Sequence, residues 1–585
     1  AFREEFQKRR GYDPLRFLPA YTGRIVKSRD ITERFLWDVR QTAQELVLEN
    51  HAEHLKALAH QHGFGLSIEP YDMNPTADLN LGAVADVPMC EFWANCYNTW
   101  FSCFEAASIA HTGGRNIVAA ESFTSDDKER WRFHPGNLKG LGDWAFAAGV
   151  NRIVFHRYAH QPWLDRWPGM TMGPYGVHWE RTQTWWDMIG DYHRYLARCQ
   201  VLLRRGEAVA DILYLTPEGA PQVFRPPPSA VVGNPPDRRE YNFDACSPEM
   251  LMRRAAVKNG RITFANGSSY HVLALPLVDM MTPPLLAKIK ALVEAGATIY
   301  GVPPRQSPSL TDYPRCDDEV QKLAAEIWGA TPVRERRLGQ GRVVRGDEKV
   351  VRKSARAFSG APLQTAKWIW FQEGNPASSA PVATRYFRRT VNLPDDKISA
   401  ARISLTADNG FTLWLNGNEL GGGNNFHQVH QYDVAGLLKP GTNVIAVLAE
   451  NGGDAPNPAG LIAALQVRFA SGANLEVASD ATWQAAMRAG QNWQTLRDGQ
   501  GDWSAAMELG GYGMSPWERP TPAEEVPEIY PDYAELAALL RANAVPPDFE
   551  SDGPLRYTHR RDGETEIYFV ANRNDETCTA TAAFR

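Results

Sequence analysis

Asn116-Ile-Val-Ala-Ala-Glu-Ser-Phe-Thr124 is the stretch on which the reading of this 585-residue chain turns. Ile117, Val118, Ala119 and Ala120 form a short, apolar, partly β-branched run, as suits a strand buried on both faces. The run stops at Glu121, which delivers a carboxylate where the strand ends. In a barrel of parallel strands, that end gathers the catalytic groups. A strand-end Glu that only caps the next turn is the equal alternative, and the neighbouring segments weigh between the two.

Working outward, the same arrangement recurs. Phe64-Gly-Leu-Ser-Ile-Glu69 is a strand that closes on a Glu, after a long helical stretch from Arg34 to Gly63. Asp86-Val-Pro-Met-Cys-Glu-Phe-Trp93 carries Glu91 beside Trp93. A helix over Thr99–Thr112 leads into the Glu121 strand, and Asn151-Arg-Ile-Val-Phe-His156 ends on His156, Arg157 and His160. Strand, polar end, loop, helix is what a (β/α)8 TIM-like barrel with a polar mouth predicts, although a doubly wound sheet gives similar alternation. Fewer than eight strands are countable, so residues 1–206 are expected to be the C-terminal portion of an incomplete barrel, its first strands lying before residue 1. Two aromatic loops follow, Trp163-Leu-Asp-Arg-Trp-Pro-Gly169 and Trp179 to Trp186, the second holding Trp185. They read equally as stacking platforms for a sugar or as loops packed on the rim.

Beyond the barrel segment, Val209–Leu215, Tyr270–Pro276, Pro283–Ala295 and Ala297–Gly301 alternate strand and helix, giving a flavodoxin-like α/β domain over residues 207–355. No GxGxxG spacing follows its strands, so no nucleotide is expected there. From 356 to 519 the pattern changes to period two, with Asn416-Gly417 and Pro440-Gly441 as turns, which predicts a β-sandwich. Residues 520–585 read as a Pro-rich linker with one helix and the start of a truncated β-domain.

Composition narrows the partners. A net charge of −6 gives no footprint for nucleic acid or an anionic membrane. No apolar run reaches the ~20 residues of a membrane helix. Seven cysteines without CxxC pairing suggest neither a zinc site nor a dense disulfide framework, although one bridge within Cys90, Cys96 and Cys103 stays open. The 18 tryptophans crowd into particular stretches, as expected where sugar rings stack on flat side chains.

Glycoside cleavage needs one carboxylic acid to protonate the leaving oxygen and one carboxylate across the ring. Glu69, Glu91 and Glu121 could converge on one mouth. Three like charges repel, so a cation, an Arg or a raised pKa must accompany them. His156, Arg157 and His160 could serve, as could a hard divalent metal with oxygen ligands.

Several segments taken together resemble glycoside hydrolase family 106, the inverting, calcium-associated α-L-rhamnosidases. They are Arg10-Gly-Tyr-Asp13, Arg34-Phe-Leu-Trp-Asp38, Glu91-Phe-Trp93, Ala120-Glu-Ser-Phe-Thr124, the Trp-Pro-Gly169 loop, Arg181 to Trp186 and Ala210-Asp-Ile-Leu-Tyr214. The resemblance implies exo-hydrolysis of terminal α-L-rhamnose from a glycan or glycoside. It casts Glu121 as general base and Glu91 as a calcium ligand. The substrate-binding residues are then Glu69, Trp93, His156, Arg157, His160 and Trp185. Trp414-Leu-Asn-Gly417 makes the sandwich resemble galactose-binding-like modules. The family's general acid lies in an Asp-x-x-Glu type segment before the Arg10 region, and the nine residues preceding Arg10 hold none. The acid is therefore expected upstream of Ala1, the isolated chain is expected to be inert, and the intact protein to be periplasmic or extracellular. Two other readings stay open: a retaining exo-glycosidase of β-galactosidase type, and a non-catalytic carbohydrate-binding or scaffold protein.

Overall fold

In the computed structural model, the apolar runs around Glu121 become four neighbouring parallel strands. The structure describes all residues except 1, 72–74, 95–98, 127–130, 174, 234, 347–362, 491, 496–500, 523–528 and 575. β1 (Ser67–Ile68), β2 (Val87–Trp93), β3 (Ala119–Thr124) and β4 (Arg152–Phe155) lie side by side in chain order. Helices Asp78–Val84, Trp100–Gly113 and Pro135–Ala148 make the crossovers that parallel pairing requires. The helix Trp100–Gly113 is buried along most of its length because β2 lies on one side and strand Phe243–Cys246 of a second sheet on another. It stops at Gly114, whose φ of 73° is left-handed, a cap conformation that glycine adopts without a Cβ clash.

β3 starts two residues later than the apolar run suggests, because Val118 gives its N–H to the Asn151 side chain (2.9 Å) instead of to a neighbouring strand. Glu121 consequently lies inside the strand, paired with Glu91 on β2 and Val154 on β4. The four strands form an open sheet, and no ring closure is present among the described residues.

The second sheet runs Glu335–Leu338, Gly341–Arg345, Thr298–Gly301, Val272–Ala274, Ile212–Leu215, Phe243–Cys246, all parallel except the first. Its five parallel strands follow the 2-1-3-4-5 order of flavodoxin-type sheets. Helices Pro283–Glu294 and Arg315–Trp328 cover one face through Leu286, Ile289, Val320 and Ile327. The other face shares its core with the first sheet: Tyr214, Phe243 and Val272 pack in one cluster with Phe92, Ala120 and Phe123.

That shared core erases the expected boundary at 206/207. Ala1–Val351 and Glu528–Arg585 form one compact unit, Arg352–Pro527 the other. Residues 520–585, expected to open a further domain, largely return to the first unit. Tyr530, Tyr533, Leu536 and Leu540, on and before helix Tyr533–Ala542, join the common core, with the Tyr530 ring 4.9 Å from Tyr214. The hairpin Leu555–Asp562/Thr565–Asn572 pairs with Glu207–Ala208. The helix has an apolar stripe to bury, and the sheet beside it offers the face.

Taken by itself, the second unit consists of two largely antiparallel sheets. One contains Lys367–Trp370, Ile398–Asp408, Gln428–Asp433 and Gly460–Phe469; the other contains Ala383–Leu393, Gly410–Leu415 and Gly441–Asn451. Alternate residues such as Phe387, Leu405, Leu413, Val447 and Leu465 fill the space between them, as period-two strands dictate. Cys90 and Cys103 are buried free thiols; Cys96 and the expected 355/356 boundary lie outside the described residues. No described helix is long and apolar enough to cross a membrane.

Candidate active site

Parallel pairing at β1–β3 brings three carboxylates to one end of the sheet. Glu91 and Glu121 are register partners on adjacent strands, so their side chains leave the same face about 4.8 Å apart at the backbone. Glu69 immediately follows β1, one strand further out. Tyr71 ties the group together: its hydroxyl lies 2.9 Å from Glu91 Oε2 and 3.3 Å from Glu69 Oε2. A phenol has one proton to give, so the nearer Glu91 contact is the stronger. Trp93 donates its indole N–H to the other Glu91 oxygen at 2.5 Å. Thr124 Oγ1 donates to Glu121 Oε1 at 2.6 Å, and His156 Nε2 stands 3.9 Å from that same oxygen.

The electrostatics follow from this crowding. Burial pushes Glu91 up to about 7; the bonds from Tyr71 and Trp93 oppose the rise, while the charge of Glu121 and hydrogen-bond contact with it add to it. Glu69 is raised by burial and then by Glu121, against the Tyr71 bond. Burial also lowers His156, although Glu121 pulls the other way, which disfavours a charged imidazole beside the trio. A proton on Glu91 is what relieves the repulsion. Register pairing sets Glu91 and Glu121 side by side on one face, whereas a glycosidase acid and base stand on opposite sides of the scissile bond, about 5–5.5 Å apart for retention or 6.5–9.5 Å for inversion. Glu91 and Glu121 therefore cannot flank a sugar as acid and base. They can act on one side of it, with Glu91 carrying a proton beside the group that accepts one.

Calcium was tested against these residues. Among the described residues, no group of three His, Cys, Asp or Glu side chains is arranged to hold a metal ion. Glu91, expected as a ligand, accepts one hydrogen bond at each oxygen, from Tyr71 and from Trp93. The described residues alone do not make a calcium cage.

Of the other residues expected here, Trp93 and His156 reach the cluster. Arg157 turns away: it is buried, and its guanidinium donates to the carbonyls of Tyr175 (2.8 Å) and Gly173 (3.5 Å). His160 is exposed and pairs through its backbone with Met170. Trp185 packs edge-on to Trp179 at 5.4 Å, against the common core. Tyr71 and Thr124 were not foreseen. The available signal was their position two residues past Glu69 and three past Glu121, just beyond strand-end acids.

Comparison with known proteins bears on this cluster. The model of glycoside hydrolase family 106, alpha-L-rhamnosidase, matches residues 1–358. A protein of Formosa agariphila, whose name gives beta-glucuronidase as a provisional assignment, is 40% identical over 335 residues, covering 57% of this chain and 28% of that protein. An alpha-L-rhamnosidase of Streptomyces avermitilis is 36% identical over 167 residues, covering 27% of this chain and 16% of its own length. The chain thus spans under a third of either relative. A solved rhamnosidase from Novosphingobium sp. PP1Y superposes with a TM-score of 0.54 at 21% identity, covering 79% of this chain and 59% of that one; at that identity the likeness concerns the fold.

Proposed function

The chain belongs to glycoside hydrolase family 106, the alpha-L-rhamnosidases, and from that premise we propose that its strand-end carboxylates form the base side of a site cleaving terminal α-L-rhamnose with inversion. The single observation that carries this reading is the pairing of Glu121 with Glu91 in one strand register, held by Tyr71, Trp93 and Thr124. In the proposed step Glu121 takes a proton from water, the water oxygen bonds to the anomeric carbon, and the glycosidic bond breaks on the opposite face. The leaving oxygen is protonated by an acid standing farther from Glu121 than Glu91 does. Glu69 binds sugar hydroxyls. The four parallel strands are read as an arc of a (β/α)8 barrel, and the sandwich as a galactose-binding-like module.

A retaining pair is less well supported. Glu91 and Glu121 leave one face side by side, and the Tyr71 hydroxyl already occupies the space between the Glu69 and Glu91 carboxyls. The Formosa agariphila relative raises a second reading, a uronide substrate. The carboxylate of a uronic acid would meet Glu69, Glu91 and Glu121, to which no Lys or Arg is ion-paired among the described residues, and this favours a neutral deoxysugar. Calcium is proposed only with donors additional to the trio; if it takes part, chelation by EDTA should lower rhamnose affinity at least tenfold, and unchanged affinity would remove it.

Hydrolysis of 2,4-dinitrophenyl α-L-rhamnoside tests the reading, since that leaving group departs without a proton and needs no general acid. The chain should release dinitrophenol from it, and Glu121→Gln should slow turnover by about 100-fold or more with KM little changed. Equal turnover by both proteins, or faster turnover of the corresponding β-D-glucuronide, would refute it.

A further inference from the structure

The two ends of the first sheet are chemically unlike. Glu91 and Glu121 lie towards the carboxyl ends of their strands, whereas the helix ends at Val84 and Gly113 lead into the amino ends of β2 and β3. Beside those helix ends is a cavity of about 690 Å³, within the size range of small-molecule sites. Helices Phe2–Arg10, Arg29–Val47, Glu53–Gln61, Asp78–Val84 and Pro248–Arg254 build its walls, all in one compact unit.

Two features of the lining are left over by the fold. The first is Asn80. It is 7% exposed, it lines the cavity, and its side-chain amide makes no hydrogen bond among the described residues; an amide buried without a partner is costly. The second is charge. Arg9 and Arg10 are taken by Glu45 and Glu49, and Lys56 by Asp86 at 2.9 Å. Arg115 and Arg254 give N–H groups to the carbonyls of Ala83 (2.6 Å) and Gly113 (2.9 Å), which satisfies two helix ends. Neither they nor Arg253 have an ion-paired carboxylate among the described residues. Burial disfavours the charge on Arg115, and nearby Arg254 disfavours it further, with Asp86 opposing. Water in the cavity would answer the amide but would bring no charge to offset the guanidiniums.

The lining also holds arranged acceptors. Ala77 N–H donates to Gln44 Oε1 (2.6 Å), Gln44 Nε2 to Gln41 Oε1 (3.2 Å), and Gln41 Nε2 to Glu249 Oε1 (3.3 Å). This buried relay fixes Glu249 at the cavity, and Glu53 joins it in the lining. Two carboxylates would repel a bare anion, so the lining suits a ligand that also has hydroxyls to donate to them.

We propose that this cavity is a second ligand site, and that it takes a small polyhydroxylated oxyanion, a sugar acid or a sugar phosphate. Guanidinium groups pair with carboxylate and phosphate oxygens through two N–H bonds at once. Glu249 and Glu53 accept from the hydroxyls, and Asn80 offers both a donor and an acceptor. The site stands apart from the rhamnoside reading, because the trio lies towards the other end of the strands.

Calorimetry on the full chain tests this with D-glucose 6-phosphate, D-glucuronate, inorganic phosphate and D-glucose. At least one of the two sugar anions should bind saturably, tenfold or more tighter than inorganic phosphate or D-glucose, and the one that does so names the oxyanion. Arg253→Glu should weaken that binding at least tenfold. Arg253 is exposed and makes no hydrogen bond among the described residues, so its thermal midpoint should not move. Asn80→Asp, equal in size but placing a negative charge at the cavity, should show the same loss. L-Rhamnose at saturation should not compete, and its affinity should stay within twofold in both variants. No binding of either sugar anion, equally tight inorganic phosphate, unchanged affinity in either variant, or displacement by L-rhamnose would overturn the second site. Sugar-anion binding by a chain that fails to bind L-rhamnose would support the cavity and remove the rhamnoside reading alone.

Discussion

Glu91 and Glu218 stand at the carboxyl ends of parallel strands in the same compact unit, and burial pushes each up to about 7. Their surroundings differ completely. Glu218 follows Ile212–Leu215 at the point where the strand order reverses, the position at which doubly wound sheets take ligands. Its two oxygens accept from the N–H and hydroxyl of Thr282, each at 2.6 Å, which ties down the start of helix Pro283–Glu294. Trp37 donates to the Glu218 carbonyl and lies so close to Gly219 that a β-carbon there would come within 2.6 Å of the indole nitrogen. The chain closes that crevice with its own side chains. Glu91 faces two further carboxylates in a partly exposed mouth and is held by side chains at its edges. A raised pKa therefore records burial; convergence of acids with lone pairs to spare marks the site.

Three substitutions press on this contrast. The largest effect is expected at Glu121→Gln, a loss of about 100-fold or more in turnover of an activated rhamnoside; a variant within twofold of wild type would put Glu121 on the same footing as Glu218. Next comes the pH dependence of Glu91. Its folded pKa lies above the ordinary carboxyl value, so between about 4.5 and 7 the folded state binds more protons than the unfolded. Its contribution to stability falls as pH rises through that window, by on the order of 2–3 kcal/mol. Glu91→Gln removes this titration and can still accept from Trp93 while donating to Glu121. Relative to wild type it should gain about 1–3 kcal/mol in urea unfolding between pH 5 and pH 8; parallel pH profiles would contradict it. The smallest effect is at Glu218→Ala, which should cost about 1–2 kcal/mol at pH 5 through the lost helix-start bonds and leave L-rhamnose binding within twofold. A binding defect there would reopen the closed crevice as a site.

How far the chain announces this depends on the range of the interactions involved. Buried parallel strands are short continuous apolar runs, so Val118 to Ala120 and Ile153 to Phe155 were legible, although Glu121, expected where its run stops, lies inside the strand. The αβ alternation of the second sheet was legible for the same reason; its strand order was not. Tyr71 was not, because its role depends on Glu91, twenty residues away, and no periodicity marks it. Arg157 was misread because its charge suggested a ligand, whereas the carbonyls of Gly173 and Tyr175 claim it. Trp185 looked like a stacking ring, but Trp179 and the common core take its face. The return of residues 528–585 to the first unit was invisible for a plainer reason: the apolar stripe of Tyr533–Ala542 says that a partner exists and nothing about which sheet supplies it.

The most direct test is calorimetric titration of L-rhamnose into the wild-type chain and into Glu69→Gln/Glu121→Gln. Saturable binding by wild type, weakened at least tenfold in the double variant with no loss of thermal stability, is the predicted result. No heat with wild type, or equal affinity in both proteins, would contradict a sugar site at these strand ends.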